Sequence, residues 1–256
     1  MSKVGAGQRF FVGRYDISRH VTTADHPEST EIVEDTAIIH TKRHRVVQGL
    51  DDDEFSISAF WNEDTSHLFP GGEGPRVTQV FGLAAGAPVT SYGTAVTAGP
   101  KGSVPTDVGA LVRTEYGGNA NGEREDGYYM GLVGTTATGG TSADRIDGIT
   151  IDFGTAPGNM RVRLAIHLEV LTNGGMDAAS FSLLGSTDDS TYTELDSGLQ
   201  IPLVTGGEPA DLGDYASGAV GVSVPRYVSL QLATTGNAGD TLLVNAAVLF
   251  LEAQGA

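Results

Sequence analysis

Glycine in this chain comes in short clusters, PGGEGP at 70–75, YGGNANG at 116–122, GTTATGG at 134–140, TNGG at 172–175 and TGG at 205–207. These clusters limit the fold more than any other feature. The 36 glycines among 256 residues are about twice the ~7% share of an ordinary chain. Spread as punctuation rather than as one tract, they mark many tight turns between short strands and leave little room for helix. The segments between them agree. Phe55, Ile57, Ala59 and Trp61 fall at strict period two, separated by Ser56, Ser58 and Phe60, the pattern of a half-buried strand. From about residue 145 a regular series follows: GITIDFG, MRVRLAIHLEVLT, AASFSLLGST, GLQIPLV, YVSLQLAT and TLLVNAAVLFLEA. Strands at this spacing predict an all-β chain built as an antiparallel sandwich or barrel followed by a second β-sandwich.

The stretch at 140–148 is the poorest in hydrophobic residues, which sets the expected boundary there: one β domain over 1–145 and a C-terminal sandwich over 146–256. Residues 8–23 read as a strand and a turn capped locally by Asp16 and Ser18. Residues 29–48 read as one or two strands ended by Gly49. Residues 127–148 read as a connecting segment, and 62–69 as the one place for a short helix.

Net charge is −17, with 15 Lys+Arg against 32 Asp+Glu. No extended basic surface can be built from that balance, so gripping a phosphate backbone by ion pairing is not expected. An acidic wall can still pass nucleic acid by repelling it. With no cysteine, disulfides and thiolate metal sites are excluded. The N-terminus lacks the apolar core of a secretory signal, and TLLVNAAVLFL at 241–251 is about half a membrane span.

The chemistry-bearing residues argue against a catalytic or metal site. Asp51, Asp52, Asp53 and Glu54 are consecutive, and an extended segment points them to alternate faces rather than at one cation. They lack the every-second-position spacing of a calcium loop and read as an acidic loop leading into a strand. Asp188 and Asp189 fit a type I or I′ hairpin turn between SFSLL and TYTEL. His40 and His44 would share a face on a helix, but in a strand they lie about 13 Å apart. Lys42, Arg43 and Arg45 form the one basic cluster, too small for a DNA-binding face and suited to pairing with an acidic loop of a neighbouring subunit. No nucleophile elbow, phosphate loop or zinc-helix motif occurs. No cofactor, metal or enzymatic activity is expected.

Two stretches resemble tail tube (major tail) proteins of siphophage-type tailed phages, including those of actinobacterial phages. The first runs from Asp16-Ile17-Ser18-Arg19-His20-Val21-Thr22-Thr23 through the acidic stretch Glu31 to Thr36 to Gly49-Leu50-Asp51-Asp52 and FSISAFW. The second runs from Ser186 to Leu195 and on to Arg226-Tyr227-Val228. Where the family carries a T-x-F/Y-G-D segment this chain has AIIHTKRHR, so the loop packing between subunits differs. The resemblance implies a virion protein made in the host cytoplasm, with itself as main partner: hexameric or pseudo-sixfold trimeric rings stacked into a hollow tube. Other tail proteins would be further partners, and viral DNA would pass through without specific binding. It makes residues 51–54 a candidate lumen or inter-subunit loop, and Lys42, Arg43 and Arg45 a candidate inter-subunit basic patch. Another virion component, such as a capsid decoration or minor tail protein, and a carbohydrate- or host-binding sandwich are the alternatives. The second would line up exposed aromatics, which at 7% of the chain are few.

Overall fold

The computed structural model describes residues 8–18, 21–25, 28–35, 45–60, 72–73, 76–92, 95–103, 113–120, 124–139 and 142–253, with side-chain surroundings for 8–18, 76–91, 125–139 and 142–251. In chain order the first strands are β1 (Arg9–Val12), β2 (Tyr15–Asp16), β3 (Val21–Asp25), β4 (Glu28–Asp35), β5 (Arg45–Phe60), β6 (Gly72–Glu73) and β7 (Val77–Val80). Next come β8 (Ala87–Tyr92), β9 (Ala95–Ser103), β10 (Arg113–Ala120), β11 (Arg124–Thr138), β12 (Ser142–Asp152), β13 (Gly158–Gly174) and β14 (Ala178–Ser186). The last are β15 (Thr193–Glu194), β16 (Ile201–Thr205), β17 (Glu208–Pro209), β18 (Gly213–Ala216), β19 (Val220–Val224), β20 (Tyr227–Thr235) and β21 (Thr241–Ala253). The fold is all-β, as the glycine punctuation predicts. The helical content of the described residues is one 3-10 turn at Ser197–Leu199, capped by the Asp196 carboxylate, which accepts from the Gly198 amide.

The chain forms two compact units that do not follow the expected 145/146 boundary. One draws on Met1–Val4, His20–Gly74 and Gly93–Arg124, the other on Gly5–Arg19, Pro75–Tyr92 and Glu125–Ala256. Residue 145 lies inside β12, where Arg145 pairs with Gln231 of β20. The weakly hydrophobic stretch that suggested a linker is an edge strand. Such a strand buries one face at most and keeps its charges in water, so low hydrophobicity does not mark a domain end.

In the first unit the strand order is β3-β5-β10-β9-β6, with β4 also paired to β5. Strand β5 runs 16 residues without a break. Its first part pairs with β4, from Asp35↔Arg45 to Glu28↔Asp53, and its last part with β3 and β10. Neither expectation about this stretch holds: Gly49 does not end the strand, and residues 51–54 are not a loop. The ladder with β4 shifts register at Gly49 and Leu50, between Thr30↔Asp51 and Ile32↔Gln48, yet the strand runs on through the carboxylates.

In the second unit two sheets face each other. The larger has the order β18-β13-β21-β11-β8-β7-β1-β2, with β19 on β13 as well; the smaller has β12-β20-β14-β16-β17, with β15 on β14. Alternation dictates the core. Val162, Leu164, Ile166 and Leu168 of β13, with Leu242, Val244, Val248 and Phe250 of β21, point one way. They meet Phe181 and Leu183 of β14 and Val228 and Leu230 of β20. Each such side chain contributes roughly 1.5–3 kcal/mol on burial. The opposite face of β13, β21 and β11 is covered in turn. The larger sheet folds back on itself, so that Phe11 of β1, Val80 of β7 and Val89 of β8 pack on Tyr129, Ala165, Leu249 and Leu251.

Strand β11 overturns another expectation, because residues 127–148 are not a connector. Residues 127–138 of β11 pair along β21, with a register shift between Tyr129 and Gly131. Its glycines hide the strand in the sequence, yet two are required. A Cβ at Gly127 would sit 2.6 Å from the Leu251 backbone, and Gly131 has φ +148 at the irregularity. No helix of the described residues is long and apolar enough to cross a membrane.

Candidate functional site

The residues of β13 between its core-facing aliphatics are Arg161, Arg163, Ala165, His167 and Glu169. Alternation turns this row away from the core, and on that side Arg163 and His167 meet polar groups from β11 and β7. His167 is 1% exposed. Its Nδ1 bonds the Gly13 carbonyl in the β1–β2 turn, its Nε2 lies 2.9 Å from Thr78 Oγ1, and Phe11 stacks on the ring with centroids 5.3 Å apart.

A carbonyl only accepts, so Nδ1 carries the proton and Nε2 accepts from Thr78. The single Thr78 hydroxyl proton is thereby used. Ser91 Oγ, 2.9 Å away, must donate to Thr78. Ser91 in turn accepts from Arg76 Nη1 at 3.1 Å, and that same nitrogen donates to Glu125 Oε2 at 2.7 Å. Arg163 donates to the other Glu125 oxygen. The result is a one-way relay from a buried ion pair through two hydroxyls to a histidine of fixed tautomer. Burial holds the His167 pKa down at about 4, with the Gly13 bond opposing that shift and the Arg76 charge adding to it. Asp214, the β18 register partner of His167, is pushed up by burial.

What the arrangement does chemically follows from its closure. Thr78 and Ser91 are 0% exposed, so neither hydroxyl is presented to a substrate, although Thr78 donates to a histidine as an activated nucleophile would. The adjoining cavity, lined by Phe11, Arg14, Asp16, Leu132, His167 and Glu169 among others, measures about 100 Å3. Ligand pockets run to roughly 300–1,000 Å3. The network is a lock that fastens the β1–β2 turn and the β7–β8 pair to β13 and β11. Sequence reading missed it, although the polar row alternating with Val162, Leu164, Ile166 and Leu168 carried the signal.

Several surface features are also resolved. Asp16 Oδ1 accepts from the Ser18 amide at 2.9 Å, and Ser18 Oγ accepts from the Phe10 amide at 3.0 Å, the local capping expected of that pair. Asp188 Oδ1 accepts from Ser190 N and Thr191 N, both at 3.0 Å, and from Ser186 Oγ at 2.9 Å, which holds its carboxyl well below the usual range. The loop between β14 and β15 is longer than a two-residue type I′ turn, and Asp189 takes the left-handed conformation with φ 58. Arg145 lies over the Tyr192 ring, 4.7 Å from its centroid. Arg226 grips Asp152 with two bonds of 2.7 and 2.8 Å, which lower the Asp152 pKa to about 2. Among the described residues no group of three or more His, Asp or Glu side chains could hold a metal ion.

Of the expected site residues, Asp51, Asp52 and Asp53 lie on β5 opposite Thr30, Ser29 and Glu28, and Glu54 lies opposite Asn119 of β10. Arg45 opens β5 opposite Asp35. Lys42, Arg43, His40, His44 and residues 61–69 lie outside the described residues.

No protein-family model and no curated protein matches this chain. Solved structures with partial likeness include the SPP1 Dit (gp 19.1) protein, a hub of the adsorption apparatus in phages infecting Gram-positive hosts. It is 10% identical over 96% of this chain and 99% of that one, with a TM-score of 0.32. A chain of the phage p2 baseplate in its activated conformation is 10% identical over 97% and 98%, with a TM-score of 0.30. A chain of infectious bursal disease virus, Gx strain, is 11% identical over 100% of this chain and 68% of that one, with a TM-score of 0.21. Scores of this size carry no activity or partner over to this chain.

Proposed function

We propose that this protein is a structural component of a tailed-phage virion, acting as a major tail (tube) protein. In this reading its rings, hexameric or pseudo-sixfold trimeric, stack into a hollow tube and join other tail proteins, and viral DNA passes through without specific binding. The observation that carries the reading is the course of β5. The segment in which the sequence resembles the opening of tail tube proteins, Gly49-Leu50-Asp51-Asp52 into FSISAF, lies in one uninterrupted strand paired with three others. Four consecutive carboxylates on a strand rather than a loop hold negative charge at fixed register positions, divided between the two faces by the period of two. A face carrying part of that charge suits a wall past which an equally negative polymer must slide. Asp51, Asp52, Asp53 and Glu54 are therefore assigned to the lumen or an inter-subunit surface. Lys42, Arg43 and Arg45 are assigned to the contact with a neighbouring subunit. The buried network of His167, Thr78, Ser91, Arg76 and Glu125 locks strands together, which suits a part whose work is mechanical.

The charge assignment is tested by replacing Asp51, Asp52 and Asp53 with Lys. Circular dichroism is expected to be unchanged, while assembly or genome delivery falls. A variant that assembles and infects like the parent would contradict the assignment. The symmetry of the assemblies separates a tube protein from a decoration or minor tail protein, which would share this architecture.

A further inference from the structure

The described edges of the second unit differ in a way that points to a contact between copies. An unpaired strand edge is a template for another strand, and proteins that stay apart guard such edges with charge, bulges or shortness. Strand β12 is guarded twice: its register breaks between Arg145 and Thr150, and Asp144, Arg145 and Asp147 are exposed there. Strands β2, β15 and β17 have two residues each, and β18 carries Asp214. Strand β19 has no guard. Its five residues, VGVSV, pair with β13 in unbroken register from Gly158↔Val224 to Val162↔Val220, and no other described strand pairs with it. From Ala216 to Pro225 there is no Asp, Glu, Lys or Arg.

We infer that β19 is a docking edge for a second copy of this chain, whose own β19 pairs with it antiparallel about Val222 across a twofold axis. Three observations choose this occupant. A chain of net charge −17 repels its own copies, so close contact falls where carboxylates are absent. Among the described edges of this unit, β19 is also the one that offers a straight, uncharged five-residue ladder, so its best partner is itself and the contact is self-complementary. Finally, the surface beside it is open. Gly221 and Ser223 border a groove of about 410 Å3 that Asn159 and exposed Arg161 line from β13, and a Cβ on Gly221 would meet no atom within 4 Å. Pairing about Val222 sets Val220 opposite the neighbour's Val224 and Gly221 opposite its Ser223, keeping each face of the sheet continuous. Five ladder residues a side make a small interface, so the association depends on concentration. The inference goes beyond the virion reading, and its failure would leave that reading intact.

The absence of cysteine makes the test clean. Val222→Cys is expected to give covalent dimers with a short thiol-reactive crosslinker. Ser223→Cys alone is expected not to, whereas Ser223→Cys mixed with Gly221→Cys is expected to crosslink. Gly221→Lys, whose Cβ would meet no atom within 4 Å, should weaken self-association by at least about tenfold in sedimentation, a loss of about 1.4 kcal/mol. Failure of Val222→Cys to crosslink would overturn the proposal. So would equal crosslinking by Ser223→Cys alone, or a Gly221→Lys variant that associates like the parent.

Discussion

His167 ties stability to pH through a single ring. Its folded pKa of about 4 lies below the ordinary 6.5, so the unfolded chain binds a proton that the folded one rejects. The contribution is therefore full above pH 6.5 and is lost as pH falls from 6.5 toward 4, amounting to roughly 3 kcal/mol. Urea unfolding of the parent and of His167→Gln at pH 7 and pH 4.5 measures it. The parent should lose more stability than the variant over that interval, and equal losses would contradict the assignment. Glu125 is the other sensitive residue. Glu125→Gln leaves Arg76, 5% exposed, without its counter-charge and should cost roughly 3–5 kcal/mol, read as a lower urea midpoint. Tyr129 has the opposite expectation. Its hydroxyl is buried without a partner, and burial pushes its pKa up to about 12. Tyr129→Phe should be neutral or stabilising by about 1 kcal/mol. Such residues are hard to read from sequence because the partners of His167 lie 89 and 154 positions away, and no local pattern encodes a contact at that range.

At the scale of elements, the strands with clean alternation were legible and those whose backbone overrides their side chains were not. Strands β13, β14, β20 and β21 stand where their period-two hydrophobics put them. Strand β11 was hidden because Gly127, Gly131 and Gly134 read as turns, although Gly127 is there to let Leu251 approach. Gly127→Ala should therefore disturb the β11–β21 ladder, costing roughly 1–3 kcal/mol in thermal or urea unfolding. Gly134→Ala, with no atom within 4 Å of its Cβ, should be harmless. Strand β5 was cut in two by the same habit of reading glycine and consecutive carboxylates as breaks. Its ladder with β4 was invisible because pairing partners are tertiary information. The split of the chain was misjudged for a related reason: β12 is weakly hydrophobic because it is an edge, not because it joins domains.

At the scale of the whole molecule, charge sets the terms of assembly. Copies carrying −17 repel over about 10 Å at 0.1 M salt and over about 3 Å at 1 M. Self-association should therefore strengthen as salt rises, the reverse of a contact made mainly of ion pairs. The central claim is that this chain builds a hollow assembly, and electron microscopy of the purified protein across that salt range tests it most directly. Rings or tubes with a central channel, more abundant at high salt, are the expected result. A protein that stays monomeric at every salt and protein concentration, or that binds glycans as a monomer, would contradict the account.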